Sequence, residues 1–288
     1  MRRIGPNHPR EKSGEAEMAQ PERWQLSGQG PESYEQYLVP ALFAAYAASL
    51  VTQATLQLGE RLLDAACGTG IVARMAAPCV GEAGHVTGLD LNPGMLAVAR
   101  TVPTRHGAPI TWQEGSLEAL PFEEGTFDVV LCQQGLQFCP NRAAAVREML
   151  RVLRMGGRLL CSVWRDLPHN VYMQAVVRAA AQHINADAGQ RMSAPCTLGN
   201  REELRLLLQT AGFRDVRIRI DILPMRVRSL EQFFPGQFAA SPIANDLAAL
   251  DTTRRERFFE QITTALQPYR DDEGYTIPYE THVARAQV

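Results

Sequence analysis

Short apolar runs alternate with helical periodicities through the middle of the chain. Arg61 to Ala66 predicts a strand, then come a helix to about Pro78, a strand over His85 to Asp90, and a helix with Asn92 as its cap and Pro93 as its first residue. Ile110 to Glu114, Phe127 to Cys132 and Arg158 to Trp164 predict further strands, the last after Gly156-Gly157, and Arg142 to Arg154 carries Val146, Met149, Leu150 and Leu153 on one helical face. Such alternation implies right-handed βαβ units and a parallel sheet with helices on both sides.

Outside this block the pattern changes. Pro40 suits a first helical turn, and Phe43, Ala47, Leu50 and Ala54 share a face running to Gly59, which predicts a leading helix able to lie over a ligand. Asn200 and Glu203 open a helix bearing Leu204, Leu207, Leu208 and Ala211, closed by Gly212. Val216, Ile218, Ile220 and Ile222 then alternate with Arg217, Arg219 and Asp221, the mark of a strand with one wet face near a sheet edge, and Tyr279 to Val288 could return as a final strand. Residues 1 to about 30 are rich in Pro, Gly, Glu and Gln and predict a disordered leader. The expected organisation is one domain over residues 31–288, with a helical lid (34–58), a core (60–165) and helical cap insertions (166–199 and 230–267), the second bearing Phe258, Phe259, Ile262 and Leu266 on one face.

Composition narrows the chemistry. A 45% apolar content over 288 residues can fill a core and excludes a disordered or fibrous protein. Lys and Arg number 29 against 31 Asp and Glu, without like-charged runs, so nothing draws the chain to nucleic acid or anionic membrane and a small-molecule partner is expected. Lys12 is the single lysine, which removes lysine Schiff-base chemistry and a P-loop. The six cysteines show no CxxC or Cys/His spacing, so no metal site is expected, and free thiols fit a reducing, cytoplasmic compartment. The longest apolar run, Leu38 to Val51, is short for a membrane span and contains Pro40.

The first strand leads into Asp64-Ala65-Ala66-Cys67-Gly68-Thr69-Gly70-Ile71-Val72-Ala73, in which Gly68, Gly70 and Ala73 satisfy GxGxxG/A, and Asp90 follows twenty residues after Gly70. On that match alone an NAD(P)-dependent oxidoreductase stands open. Asp64 weighs against it: a carboxylate beside a pyrophosphate is repelled by about a few kcal/mol per charge pair at an effective dielectric near 20. It suits a cation instead. S-adenosylmethionine (SAM) carries an ammonium and a sulfonium, lacks phosphate, and needs close backbone approach plus an acid for its ribose hydroxyls. Each residue also has a purely structural reading, Asp64 and Asp90 as caps and Cys67 and Cys132 as small buried fillers.

The runs RLLDAACGTGIVAR, VTGLDLNPGML, EGSLEALPF, FDVVLCQQGLQF and EMLRVLRMGGRLL, in this order, resemble the class I SAM-dependent methyltransferases over residues 34 to 222, near the branch of ubiquinone/menaquinone-biosynthesis C-methyltransferases and small-molecule methyltransferases. The resemblance implies an α/β, doubly wound, Rossmann-like, mostly parallel seven-stranded sheet. It also implies SAM as cofactor, with S-adenosylhomocysteine (SAH) as product. Ala66, Cys67, Gly68 and Gly70 would line the methionine part, Asp64 would orient its ammonium, Asp90 would hold the ribose hydroxyls, and Leu91 and Met95 would lie against adenine. Ser116 and Leu117 would meet the adenine edge, Cys132, Gln133 and Gln134 would lie beside the transferable methyl, and Tyr34, Tyr37 and Phe43 would cover the cofactor from the lid. Two positions depart from the pattern: Ala66 replaces the usual first glycine, tolerable because a methyl adds little bulk, and Ser116 replaces the usual Asp, which weakens the expected bond to the adenine amino group.

Methyl transfer from a sulfonium is an in-line displacement to which the protein contributes orientation and exclusion of water. The expected acceptor is a small, fairly apolar molecule, quinone-like or a secondary metabolite, lined by Gln134, Gln137, Trp164, Tyr172 and Phe234, with His169 just past the fifth strand as the base if a proton must leave. A monomer or homodimer without nucleic-acid or membrane partner is expected. The competing readings are the oxidoreductase and a non-catalytic SAM-binding protein.

Overall fold

The computed structural model describes residues 26–104 and 106–288. Strands β1 (Arg61–Ala65), β2 (His85–Asp90), β3 (Ile110–Glu114), β4 (Phe127–Gln133) and β5 (Leu153–Trp164) pair in parallel, while β6 (Arg214–Val227), β7 (Arg270–Asp271) and β8 (Gly274–Gln287) pair antiparallel. The order β3-β2-β1-β4-β5-β8-β6, with the two-residue β7 beside β8, is a doubly wound sheet whose first strand lies centrally. The helices are α1 (Gly30–Ala54), α2 (Ile71–Val80), α3 (Pro93–Thr101), α4 (Arg142–Val152), α5 (Val171–His183), α6 (Ala186–Ser193), α7 (Arg201–Ala211), α8 (Leu230–Ala239), α9 (Ala244–Ala248) and α10 (Thr252–Leu266).

Alternation along the central strands separates two cores. Leu62, Val129, Leu131, Leu160 and Val283 face α1 and α2, whereas Leu63, Val130, Cys132, Leu159, Cys161 and Ala284 face α4 and α7. Burial on both faces explains why these strands read as continuous apolar runs. A third cluster, drawn from α1, α5, α6, α8, α10 and the starting half of β8, closes over the carboxyl ends of the parallel strands.

The helix caps follow the sequence chemistry: Asn92 Oδ1 accepts from the Gly94 and Met95 N–H groups, Asn200 Oδ1 from Glu202 and Glu203, and Gly212 ends α7 with φ +112°. Several boundaries differ from the periodicity. α4 stops at Val152 because Leu153 already pairs with Phe127 as the start of β5. β6 runs on to Val227, past Ile222, because β8 begins at Gly274 and offers partners as far as Tyr275.

The largest difference is α1. Pro40 does not begin it but lies inside a widened, π-type stretch over Tyr34–Phe43, where Ala44 donates its N–H to the Val39 carbonyl five residues back. A proline lacks the N–H of the ordinary ladder, and the wider register carries the helix past it. α1 ends at Ala54, with Thr55 in the left-handed region at φ +49°, not at Gly59. Among the described residues α1 is the one helix long and apolar enough to cross a bilayer; here Ala47, Leu50, Val51 and Ala54 pack on the sheet. Of the expected leader, Leu26 is buried and Gly30 starts α1, while residues 1–25 lie outside the described residues.

Candidate active site

A cavity opens at the carboxyl ends of β1, β2, β4 and β5, and its space, mouth included, is about 1430 Å³.

One end is made of backbone. The chain leaves β1 through Ala66 at φ +59°, Gly68 at φ +55° and Gly70 at φ +86° before entering α2. Glycine adopts these angles freely, but Ala66 stores about 1–2 kcal/mol there. The departure at Ala66 is therefore a matter of conformation more than of bulk, and its methyl occupies the space that a Cβ on Gly135 would need. Gly70 does not line the cavity: the Trp112 ring lies over it and over Gly88, and a Cβ at either position would collide with that ring.

Two carboxylates bracket the loop. Asp90 lines the cavity, its Oδ2 accepting from Gly68 N–H and its Oδ1 from Asn92 N–H, both at 2.8 Å. Burial raises its pKa, and these N–H bonds oppose the shift. Asp64 is 1% exposed and stands behind the loop; Oδ2 accepts from Ala73 N–H at 2.9 Å, in the first turn of α2, while Oδ1 has no partner. Burial pushes its pKa up to about 7, and the Asp90 charge adds to the shift. The structure thus realises the capping role of Asp64 and leaves one oxygen unspent.

Hydrogen bonding within the loop bears on the choice of ligand. Cys67 N–H is taken by the Leu89 carbonyl, Gly68 N–H by Asp90 and Gly70 N–H by the Cys67 carbonyl. A pyrophosphate needs such groups free, so these three amides offer it nothing.

Of the residues expected around a cofactor, Ala66, Gly68, Asp90, Leu91, Met95, Ser116, Leu117, Gln133 and Phe43 line the cavity. Leu91 stands at the mouth, 56% exposed. Ser116 Oγ accepts from Glu118 N–H at 3.1 Å, turning the β3–β4 connection toward the cavity. Cys67 and Cys132 are buried outside the lining, and burial raises both thiols well above their ordinary pKa, as expected of inert fillers. Tyr37 also lies outside, its ring against the backbone of Gly236.

At the other end, Gln134, Trp164 and Tyr172 line the cavity, whereas Gln137 and Phe234 do not. Gln137 is 1% exposed and bonds Gln134 Oε1, whose own Nε2 reaches Thr281 Oγ1 at 2.9 Å. Phe234 packs in an aromatic group with Phe238 and Phe259. His169 is outside the lining, 41% exposed, its Nδ1 2.6 Å from Asp166 Oδ1.

Sequence reasoning missed several lining residues. Leu38 and Leu42 follow the expected Tyr34 along α1 at a spacing of four, a stripe that the sequence displays. Glu118, Met225, Gln237 and Tyr279 come from scattered segments with no shared motif, although Gln237 stands out as a lone polar residue among Phe233, Phe234 and Phe238.

Residues 63–161 match the methyltransferase domain family. The ubiquinone/menaquinone biosynthesis C-methyltransferase UbiE of Xanthomonas oryzae is 41% identical over 110 residues, 38% of this chain and 44% of that protein. The protein of the same name from Shewanella pealeana is 31% identical over 170 residues, covering 55% of this chain and 68% of its own. The chain spans about 44% of the length of the first curated relatives it matches. Among solved structures, the YcgJ protein of Bacillus subtilis shares the fold with TM-score 0.55 and 17% identity, over 83% of this chain and 96% of that one. This chain belongs to the class I SAM-dependent methyltransferases.

Proposed function

We propose that the cavity binds SAM at its Gly68–Asp90 end and that the protein transfers the methyl group to a small, largely apolar acceptor held at the other end. The observation that carries this reading is one continuous cavity with two chemistries: a tight loop bracketed by two acids, three of whose amides are already bonded within the protein, and a far wall of Trp164, Tyr172, Met173, Met192 and Met225. The names of the UbiE relatives support a quinone-like acceptor.

SAM, when bound, supplies a methyl group on a sulfonium, and the chain's own residues bind, orient and exclude water. Met95 and Tyr34 lie within contact distance of where a Cβ on Gly68 would stand, so these two side chains close over the loop backbone. Asp90, already fixed by two N–H groups, keeps lone pairs for the ribose hydroxyls, and Leu91 and Met95 suit a flat adenine. Asp64 acts from behind the loop through its charge, which favours an ammonium. Tyr34 and Phe43, with ring centroids 4.9 Å apart, cover the site from α1. That helix is tied down by the Glu35–Arg74 ion pair at 2.7 Å and by Gln133 Nε2, which donates to the Phe43 carbonyl at 3.3 Å. Ion pair and amide latch together support a lid role.

No histidine lines the cavity among the described residues, and its two carboxylates, Asp90 and Glu118, belong to the cofactor end. Catalysis by orientation fits this lining better than catalysis by a positioned base. The free cysteines support a reducing, cytoplasmic setting. The test is calorimetric titration with SAH, followed by incubation of radiolabelled SAM with phenols, naphthols and quinols and extraction of the product. Saturable SAH binding with label in an extracted product is expected. NADH binding without SAH binding would overturn the assignment, and SAH binding without any turnover would favour a non-catalytic role.

A further inference from the structure

Among the described residues, the acceptor end of the cavity presents one amide donor that makes no hydrogen bond. Resting on the methyl-transfer reading, we infer that Gln237 is the residue that recognises the acceptor: its side-chain N–H donates to an oxygen on a flat, uncharged ring, and Tyr172 holds the amide in that orientation.

Gln237 lies on α8 between Gly236 and Phe238, on a segment otherwise given to the aromatic core, and only 6% of its surface is exposed. A buried amide is costly unless its hydrogen bonds are made. Its Oε1 accepts from the Tyr172 hydroxyl at 2.8 Å. Tyr172 is itself 2% exposed, and burial keeps the phenol protonated far above its ordinary range, so its proton stays committed to Oε1. A planar amide anchored through its oxygen turns its nitrogen to the opposite side. Nε2 makes no hydrogen bond among the described residues, and it is not one of the side-chain atoms sealed away from every partner. Because Gln237 lines the cavity, that nitrogen is the donor the cavity offers.

The surroundings define what would meet it. Met173, Met192 and Met225 supply polarizable, adaptable surface, and Trp164 and Tyr279, with ring centroids 4.7 Å apart, form an aromatic wall. No charged side chain among the described residues lines this end, so a charged acceptor would be left unpaired in an apolar site. A neutral ring bearing a carbonyl or phenolic oxygen satisfies both conditions: its faces pack on the methionines and aromatics, and its oxygen takes the N–H of Gln237. Gln237 would then fix the non-reacting oxygen and so decide which ring atom faces the methyl group.

The experiment compares two probes of the same shape, 1-tetralone, whose carbonyl accepts a hydrogen bond, and tetralin, which lacks it. Each is titrated calorimetrically into SAH-saturated protein. At least about a fivefold preference for 1-tetralone is expected, because one hydrogen bond in a dry site separates the two. Gln237→Leu together with Tyr172→Phe removes both partners without leaving a buried orphan and should reduce the preference to near unity with SAH affinity unchanged. Equal binding of the two probes by the natural protein, no binding of either, or a preference that survives the double substitution would overturn the role of Gln237. Loss of SAH binding in the unsubstituted protein would instead overturn the underlying methyltransferase reading, so the two failures are told apart.

Discussion

At the cofactor end the backbone makes the site: Ala66, Gly68 and Gly70 take left-handed angles within five consecutive residues, and two aspartates lock the turn through main-chain N–H groups. At the acceptor end the lining comes from side chains on α1, α5, α6, α8, β5, β6 and β8, segments up to about 240 residues apart. The first is a local solution that one stretch of sequence encodes. The second exists only once distant elements have packed, and it can change residue by residue without disturbing the turn. Such a division leaves cofactor use fixed while acceptor choice drifts.

The strongest challenge to this contrast is Gly70→Ala, far from any proposed ligand contact. Left-handed strain plus collision with Trp112 should lower stability by about 2–5 kcal/mol in urea unfolding, and Trp112→Leu in the same chain should recover the packing share. Next, Asp90→Ala should weaken SAM binding at least about tenfold by calorimetry, since the charged acceptor of the ribose hydroxyls is lost and the Gly68 N–H is released.

The third concerns pH. With Asp64 raised from 3.8 to about 7, the folded chain holds a proton that the unfolded chain has lost, so this group's stabilisation is present below about pH 4 and is lost as pH rises to about 7. An arriving ammonium favours the carboxylate. SAM affinity should therefore rise, by up to about tenfold, between about pH 5.5 and 7, and Asp64→Asn should flatten that profile while still accepting the Ala73 N–H. The smallest effect belongs to the other end. Met192→Leu should cost under about 1.5 kcal/mol and leave SAH affinity within about twofold, yet shift the ranking of acceptors in a turnover panel.

What the sequence made legible follows the same division. Strands β2 and β3 and the Asn92-Pro93 helix start lie where periodicity and capping put them, because each is decided by its own residues. The course of α1 was not legible: a proline reads as a start, and only packing against the sheet explains a helix that widens to pass Pro40. At the loop, the motif singled out Gly68 and Asp90, which the cavity reaches, and equally Gly70 and Cys67, which shape the turn from behind it. A motif records what a turn needs and does not separate contact from support. Past β5, single residues chosen by type fared unevenly: Trp164 and Tyr172 face the cavity, while His169 pairs with Asp166 near the surface and Phe234 joins the aromatic core. Side-chain direction there depends on long-range contacts that no local pattern carries.

Strand β8 enters between β5 and β6 and hydrogen-bonds to both. On the ribosome β5 emerges about a hundred residues before the strand that covers its edge, a wait of roughly 5–20 s at ordinary elongation rates. Throughout that interval a nascent sheet would expose an apolar strand edge able to pair with a neighbouring chain until translation reaches β8.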